Sequence, residues 1–467
     1  MTQRAQGDFA PFLEKMRSAG LPDPVIRSFS AEYKKLAQGA RGTISEAEIE
    51  SVGSLPERDE LTAYAGAGRD LVRRTAVIKL NGGLGTSMGM RRAKSLLPVK
   101  DELTFLDLVA RQVLRLRETY GGPVPLVLMD SFHTRKDSLE RLAAYPDLSS
   151  GRLPLDFLQH KVPRIRADDL SPVVWSAQPD LEWCPPGHGD LYLALASSGM
   201  LEQLRKAGCD FAFVSNSDNL GAVLDPALLG WMAAERVPFL MEVCRRTPIH
   251  RKGGHLARLT GGELVLREVA QCPPKEEAAF QDIDRHSWFN TNNLWVDLRV
   301  LERVLAEREG VLGLPMICNE KSVDANDPSS LRVLQLETAM GAAISVFPGA
   351  RAVGVAGHRF APVKSTGDLL TVRSDAYALT EDWRIVPAGD AALPVVDLDP
   401  LHYRSVDQLD ERFPHGAPSL VGCRRLRVAG DVCFGRNITC RGEVEVLAGG
   451  AAVVPDGAVL EGSTRLD

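Results

Sequence analysis

The stretch TAVIKLNGGLGTSMGMRRAK, residues 75–94, decides how this chain is read. Ala76, Val77, Ile78 and Leu80 form a buried-strand signature that runs straight into Asn81, Gly82, Gly83, Leu84, Gly85, Thr86 and Ser87. Glycine tolerates the positive φ that aims successive amide N–H groups into one concave cradle. So glycine-rich a turn, with two hydroxyls behind it, suits the close approach of a large anion. A helix-compatible run led by Thr86 and Ser87 follows, which would set a phosphate near a helix N-terminus. Lys94 adds a mobile point charge. The turn is not a P-loop, because no Gly-Lys-Ser/Thr closes it. Taken alone, a plain tight turn explains the glycines too.

The rest of the chain narrows the choice. Its 467 residues exceed one ordinary core, so two or three domains are expected. The net charge of −6, without a basic block, argues against binding along nucleic acid. No run approaches the roughly 18 apolar residues of a membrane span, and residues 1–20 do not read as a signal peptide. Eight scattered cysteines without a Cys-x-x-Cys fit reduced thiols in a cytoplasmic protein rather than a zinc site. Cys433 and Cys440 have the look of core positions.

Residues 1–70 read as a helical, amphipathic segment, with Phe9, Phe12, Leu13 and Met16 on one spacing. From Ala76 onward apolar strands alternate with helical patterns, which predicts an α/β domain with a mixed, largely parallel sheet over 71–375. Thr104 is expected to cap a helix through Tyr120. Ligands of such sheets bind beyond the carboxyl ends of the strands, so the residues after each strand carry the most information. Gln159 follows Phe157 and Leu158, and an amide can both donate to and accept from a nucleobase edge. Gly187, His188, Gly189 and Asp190 make a permissive loop leading into a helix near Leu191, with His188 placed for a ligand or simply for a turn. Asn216, Ser217, Asp218 and Asn219 end a strand in a carboxylate flanked by amides, which suits Mg²⁺ and a hydroxyl-rich ligand, or a local turn. Gly253 and Gly254 permit another close approach. Asn290, Asn292 and Asn293 lie between aromatics, a combination suited to sugar hydroxyls. The run from Gln335 to Ile344 reads as helix, and Lys364 follows the rigid Pro362 with Ser365 and Thr366 behind it. In the last part, 376–467, Leu426, Val432, Ile438 and Val444 recur every six residues, as do Val428, Phe434, Cys440 and Val446. That period marks a parallel β-helix, whose register slips after Gly449 and Gly450 and resumes at Val453 and Val459.

Lined up, these segments resemble the UDP-glucose pyrophosphorylases of the eukaryotic type. The shared pieces are LNGGLGTSMG with its downstream Lys-Ser, FLQ followed by PRI, PPGHGD, SNSDNLGA, KGG, FNTNNLWV, QLETAMGAA and RF-PVK, spread over residues 75–370. The resemblance implies a Rossmann-like nucleotidyltransferase sheet between a helical start and a β-helix, the latter serving stability or homo-oligomer assembly rather than the chemical step. It implies that Leu80, Asn81, Gly82 and Gly83 meet the nucleotide, mainly through backbone, while Lys94 meets its phosphates. Gln159 and Gly187 read the uracil. His188, Asn216, Ser217, Gly254 and Asn290 or Asn292 hold the hexose phosphate, Asp218 binds Mg²⁺, and Lys364 neutralises the reacting phosphates. Three positions depart from the family pattern: Arg92-Ala93 stands for Gly-Pro, Asp130 for Asn, and Asn319-Glu320-Lys321 for Asn-Pro-Lys.

The implied reaction joins UTP and glucose 1-phosphate to give UDP-glucose and pyrophosphate. A phosphate oxygen attacks, already ionised at neutral pH, so no general base is needed, and no Ser-His or Cys-His pair stands out. The task is to position two polyanions and neutralise their charge. Two rivals are weighed against this: a UDP-N-acetylhexosamine or broad UDP-sugar pyrophosphorylase, and a non-catalytic nucleotide-sugar sensor. The LETAMGAA and FNTNNLW segments favour glucose, and a sensor is expected to have lost Lys94, Asp218 or Lys364.

Overall fold

A computed structural model describes residues 8–149, 151, 153–324, 327–389 and 392–466. The helices Ala10–Ser18 and Asp23–Ala37 pack Phe12, Met16, Phe29 and Tyr33 together and against Met316, Leu334 and Leu336. The helical reading of the first 70 residues holds for these two elements and then fails. After Ala37 the chain turns to β1 (Ile49–Ser51), which pairs antiparallel with the sheet edge, before a 3-10 turn and the helix Ala65–Leu71. Here Ile49 is buried between exposed neighbours, a strand alternation too short to register against the helical spacing around it.

The central sheet has ten strands. They are β1, β2 (Thr75–Asn81), β3 (Leu126–Asp130), β4 (Asp156–Leu158), β5 (Phe211–Asn216), β6 (Phe239–Arg245), β7 (His255–Leu259), β8 (Leu264–Arg267), β9 (Trp288–Asp297) and β10 (Arg351–Gly354). The main path runs β1-β7-β9-β5-β2-β3-β4, with β8 beside β7, and β6 between β9 and β10. Parallel pairing is confined to β5-β2-β3-β4 and to β6-β10. The long strand β9 runs antiparallel to β5, β6 and β7, so the sheet is mixed, as expected, but not largely parallel. All seven residues of β2 are buried, as expected for a strand covered on both faces. One cover is the helix Phe105–Tyr120, capped by Thr104, whose hydroxyl accepts from the Asp107 N–H, and ended by Gly121 at φ 64°.

The run from Gln335 to Ile344 is not a helix. Arg332–Thr338 is a strand paired with Met316–Ser322, followed by a 3-10 turn over Met340–Ser345. The strand wins because its backbone groups are taken by a neighbouring ladder and by Pro186 O, which accepts from the Thr338 N–H.

Beyond residue 420 the strands stack in parallel, with Val428 opposite Val446, Phe434 opposite Val454 and Cys440 opposite Leu460. The eight hexad positions from Leu426 to Val446 are all buried, as their spacing predicts. After Gly449 and Gly450 the buried positions are Val454 and Leu460, whereas Val453 and Val459 are exposed. The glycine pair adds two residues, and an even insertion keeps the in–out alternation while shifting the hexad by two, not three. Cys440 is buried and Cys433 only half-buried; all eight thiols are free. This part shares one apolar core with Met88, Leu97, Val99, Phe105 and Leu108. Among the described residues no helix is long and apolar enough to cross a membrane.

Candidate active site

The site lies where β2, β3, β4 and β5 end. Asn81, the last residue of β2, turns its side chain inward: its Nδ2 donates to Asp130 Oδ1 at 2.7 Å and to Ser138 Oγ at 2.8 Å. That side chain ties two strand ends together, so only the backbone of Asn81 faces outward. Burial pushes the Asp130 carboxyl up to about 6, and the Asn81 and Thr134 donors act against that rise. Asp130 is thus part of the scaffold under the loop.

At Gly82 a Cβ would stand 2.8 Å from Gln159 Oε1, so the amide lies directly against the loop and would have to turn aside for a larger residue. The Gln159 backbone N–H donates to Asp130 O at 2.9 Å, which fixes this residue's backbone beyond β4. A Cβ on Gly83 would meet nothing within 4 Å, leaving that backbone open. Positive φ occurs at Gly85 (63°) and Gly89 (75°), not at Gly82 or Gly83. These two left-handed residues bracket a 3-10 turn, Thr86–Met88, and stop it from growing into the expected helix. Any phosphate here meets loop amides, not a helix N-terminus.

Lys94 is not a mobile charge. Its Nζ donates to Asp218 Oδ2 at 2.5 Å, with the two side chains 17% and 21% exposed. The structure therefore joins the glycine loop and the strand end after β5 through the very cation and carboxylate singled out in the sequence. Asn216 is half-buried beside them and Ser217 is buried. Asn219 is structural: its Nδ2 donates to Asn293 Oδ1 and Arg359 O, and its Oδ1 accepts from the Gly221 and Ala361 N–H groups. Behind it, Glu242 accepts from both Arg359 Nε and Nη2 at 2.7 Å, and from Asn293 and Trp295. This buried network ties the segment carrying Lys364 to the segment carrying Asp218, with Asn219 bridged to Pro362. The Lys364 side chain itself is exposed, its Nζ 5.5 Å from the centre of the Phe360 ring.

On the other wall, Gly187 has φ 80° and a Cβ there would lie 2.4 Å from Thr338 O, so the His188 loop requires glycine. His188 Nδ1 accepts from the Met340 N–H at 3.0 Å, which leaves the proton of the neutral ring on Nε2. Burial pushes this imidazole down to about 4, so at neutral pH it is an uncharged donor. Gly254 abuts the Glu268 carboxylate, which a Cβ would approach to 2.6 Å, and Gly254 O accepts from the Asn290 N–H at 3.1 Å. Asn290 Nδ2 donates to Asn292 Oδ1 at 2.9 Å, and Asn292 sits at φ 58° where β9 bulges against β6. The two amides act as one unit, with Asn290 buried and Asn292 partly exposed.

Glu268 escaped the sequence reading. Burial raises its carboxyl to about 7, with the nearby Lys364 charge acting against the rise. A lone glutamate after β8 has no spacing signature; only the antiparallel turn of β7 and β8 brings it to Gly254. Among the described residues no cluster of three or more His, Cys, Asp or Glu side chains could cage a metal ion.

The strand ends thus carry an amide against a glycine turn and a lysine–carboxylate couple, and the His188 loop adds a neutral histidine. The family model described as UTP–glucose-1-phosphate uridylyltransferase matches residues 26–441. The chain belongs to that family. A probable UTP–glucose-1-phosphate uridylyltransferase of Schizosaccharomyces pombe is 38% identical over 93% of this chain and 86% of that one. The Solanum tuberosum enzyme of the same name is 39% identical over 84% of this chain and 81% of its own. Among solved structures, UDP-glucose pyrophosphorylase from Leishmania major superposes with a TM-score of 0.91 at 43% identity, covering 100% of both chains. A variant of that protein, solved in complex with UDP-glucose, gives the same TM-score and identity.

Proposed function

We propose that this chain transfers a uridylyl group between UTP and glucose 1-phosphate, forming UDP-glucose and pyrophosphate. The observation that carries the reading is the Lys94–Asp218 couple set beside the Gly82–Gln159 corner, in a member of this family. Gln159 and the Gly187 backbone take the uracil edge, while Leu80, Asn81, Gly82 and Gly83 offer backbone along the nucleotide. The neutral His188 Nε2–H, Asn216, Ser217, Gly254, Asn290 and Asn292 hold the glucose phosphate, and Glu268 accepts from a glucose hydroxyl. Lys94 and Lys364 offset the charge of the meeting phosphates, and the attacking oxygen needs no base.

A single carboxylate that already takes a cation on Oδ2 fits magnesium, which is commonly held by one or two carboxylates plus substrate phosphates. Asp218 would hold that ion, which supplies charge neutralisation when bound. We read the sheet as a Rossmann-like nucleotidyltransferase core (71–375) between an N-terminal segment (1–70) and a parallel β-helix (376–467). The scattered free thiols fit a cytoplasmic setting.

The test is uridylyl transfer in both directions with a panel of sugar 1-phosphates. The expected result is UDP-glucose from UTP and glucose 1-phosphate. Turnover with N-acetylglucosamine 1-phosphate and none with glucose 1-phosphate would overturn the sugar assignment, and no transfer at all would leave a nucleotide-sugar sensor.

A further inference from the structure

One buried charge in the core is not used by the site as described. Lys79 stands in β2, one residue before Leu80, and is 2% exposed. It has no carboxylate within ion-pair reach among the described residues, an unusual state for a buried lysine. Its Nζ donates to Ser215 Oγ at 2.7 Å and to Ala222 O at 3.1 Å, and sits 5.6 Å from the centre of the Phe213 ring. Ser215 is its partner across the parallel β2–β5 pairing. Ser215 and Ala222 flank the segment that holds Asn216, Ser217, Asp218 and Asn219. One ammonium therefore pins both ends of that segment from the strand that leads into the glycine loop.

We propose that Lys79 is a positioning residue, which holds the two ends of the 216–221 segment so that Asp218 faces the nucleotide phosphates. The inference rests on the reading of the site as a uridylyl-transfer centre. Asn219 anchors the middle of the segment to Arg359 and Asn293 and accepts from the Gly221 N–H, and backbone bonds tie Ser217 to Leu80 and Ala222 to Asn219; Lys79 adds a side-chain donor from β2 to both flanking residues. A hydrocarbon in place of the ammonium removes both end contacts and leaves Ser215 Oγ and Ala222 O facing each other without a shared donor. The flanks of the segment then loosen while its backbone bonds remain, and the direction of Asp218 rests on its Lys94 contact. Gln159, proposed for the uracil edge, follows β4, which lies beyond β3 from β2, and is not part of the 216–221 segment. Burial lowers the Lys79 amine to about 7, with Arg359 lowering it further and Glu242 and Asp218 acting against the fall, and the amine can donate to Ser215 and Ala222 in either protonation state.

The experiment is calorimetric binding of UTP, with Mg²⁺ and with EDTA, and of uridine monophosphate, to the parent chain and to Lys79→Met, Lys79→Gln and Ser215→Ala. Removing a partner that orients a metal ligand costs about 10–100-fold in metal affinity. The gain in UTP affinity that Mg²⁺ confers is expected to fall by about 10-fold in Lys79→Met on that scale, with uridine monophosphate affinity unchanged. Lys79→Gln, which can still donate one hydrogen bond, recovers part of the loss. Should Lys79→Met fail to fold, Ser215→Ala deletes one of the same bonds with a smaller change and is expected to move the Mg²⁺ gain in the same direction. An unchanged Mg²⁺ gain in folded variants overturns the inference. So does a parallel loss of uridine monophosphate affinity, which marks general loosening. A parent chain that binds no uridine nucleotide overturns the function reading instead, so the two failures are distinct.

Discussion

Replacing Lys94 by methionine should move metal binding and catalysis in opposite directions. The Lys94 ammonium donates to Asp218 Oδ2 at 2.5 Å, so a divalent ion that takes this oxygen must displace it. Two unit charges 4 Å apart attract by about 4 kcal/mol at an effective dielectric of 20. Both side chains here keep about a fifth of their surface in solvent, however, and side-chain ordering and screening reduce such pairs to about 1 kcal/mol net. A competitor of that strength lowers the affinity of the carboxylate for a cation by about fivefold. Lys94→Met should therefore bind Mn²⁺ or Mg²⁺ about fivefold more tightly than the parent in the absence of nucleotide. Turnover should meanwhile fall by about 10²- to 10³-fold, because a preorganised cation is lost from the meeting phosphates. Metal titration by calorimetry or Mn²⁺ spin resonance, with steady-state kinetics on the same preparation, reads both. Unchanged or weaker metal binding would refute the competition, and turnover within about threefold of the parent would refute the catalytic role.

Lys364→Ala should lower turnover by about 10²- to 10³-fold while UTP affinity falls much less, since the glycine loop and Lys94 remain; kinetics in both directions with separate UTP binding check it, and a near-parental rate returns this exposed lysine to the surface. Glu268 titrates near 7 in the folded protein, raised by burial, so its carboxylate is present above that pH and lost below it. The value of kcat/KM for glucose 1-phosphate should rise as pH increases through about 7, and Glu268→Gln should remove that rise while leaving the substrate's own second ionisation near about 6. A chain ending at residue 376 should lose cooperative thermal unfolding by circular dichroism. Uncovering half the apolar area of five side chains such as Met88, Leu97, Val99, Phe105 and Leu108 costs about 4–8 kcal/mol, comparable with the about 5–15 kcal/mol that holds a domain folded.

Much of the site was legible in order along the chain, because strand ends, glycines and flanking amides are local signals. The β2 strand and its glycine turn, the Thr104 cap and the hexads from Leu426 to Val446 follow from apolar spacing and capping chemistry alone. Where two local readings compete, long-range pairing decides. The run from Gln335 becomes a strand because a ladder takes its N–H and C=O groups. The run after Gly85 stays a 3-10 turn because left-handed glycines close both its ends. The hexad after Gly450 is set by counting against the rung above it.

The sequence by itself determined which residue types could meet phosphates, a nucleobase and a hexose, since hydrogen-bonding capacity and charge belong to the residue. It could not say which of them meet. That Lys94 lies on Asp218, that Gln159 lies against Gly82, and that an unremarkable Glu268 faces Gly254 are facts of distance across 124, 77 and 14 residues of chain. Only the tertiary structure decided them, because charge and hydrogen-bond interactions act over a few ångströms, and the packing of a mixed sheet chooses which strand ends come that close.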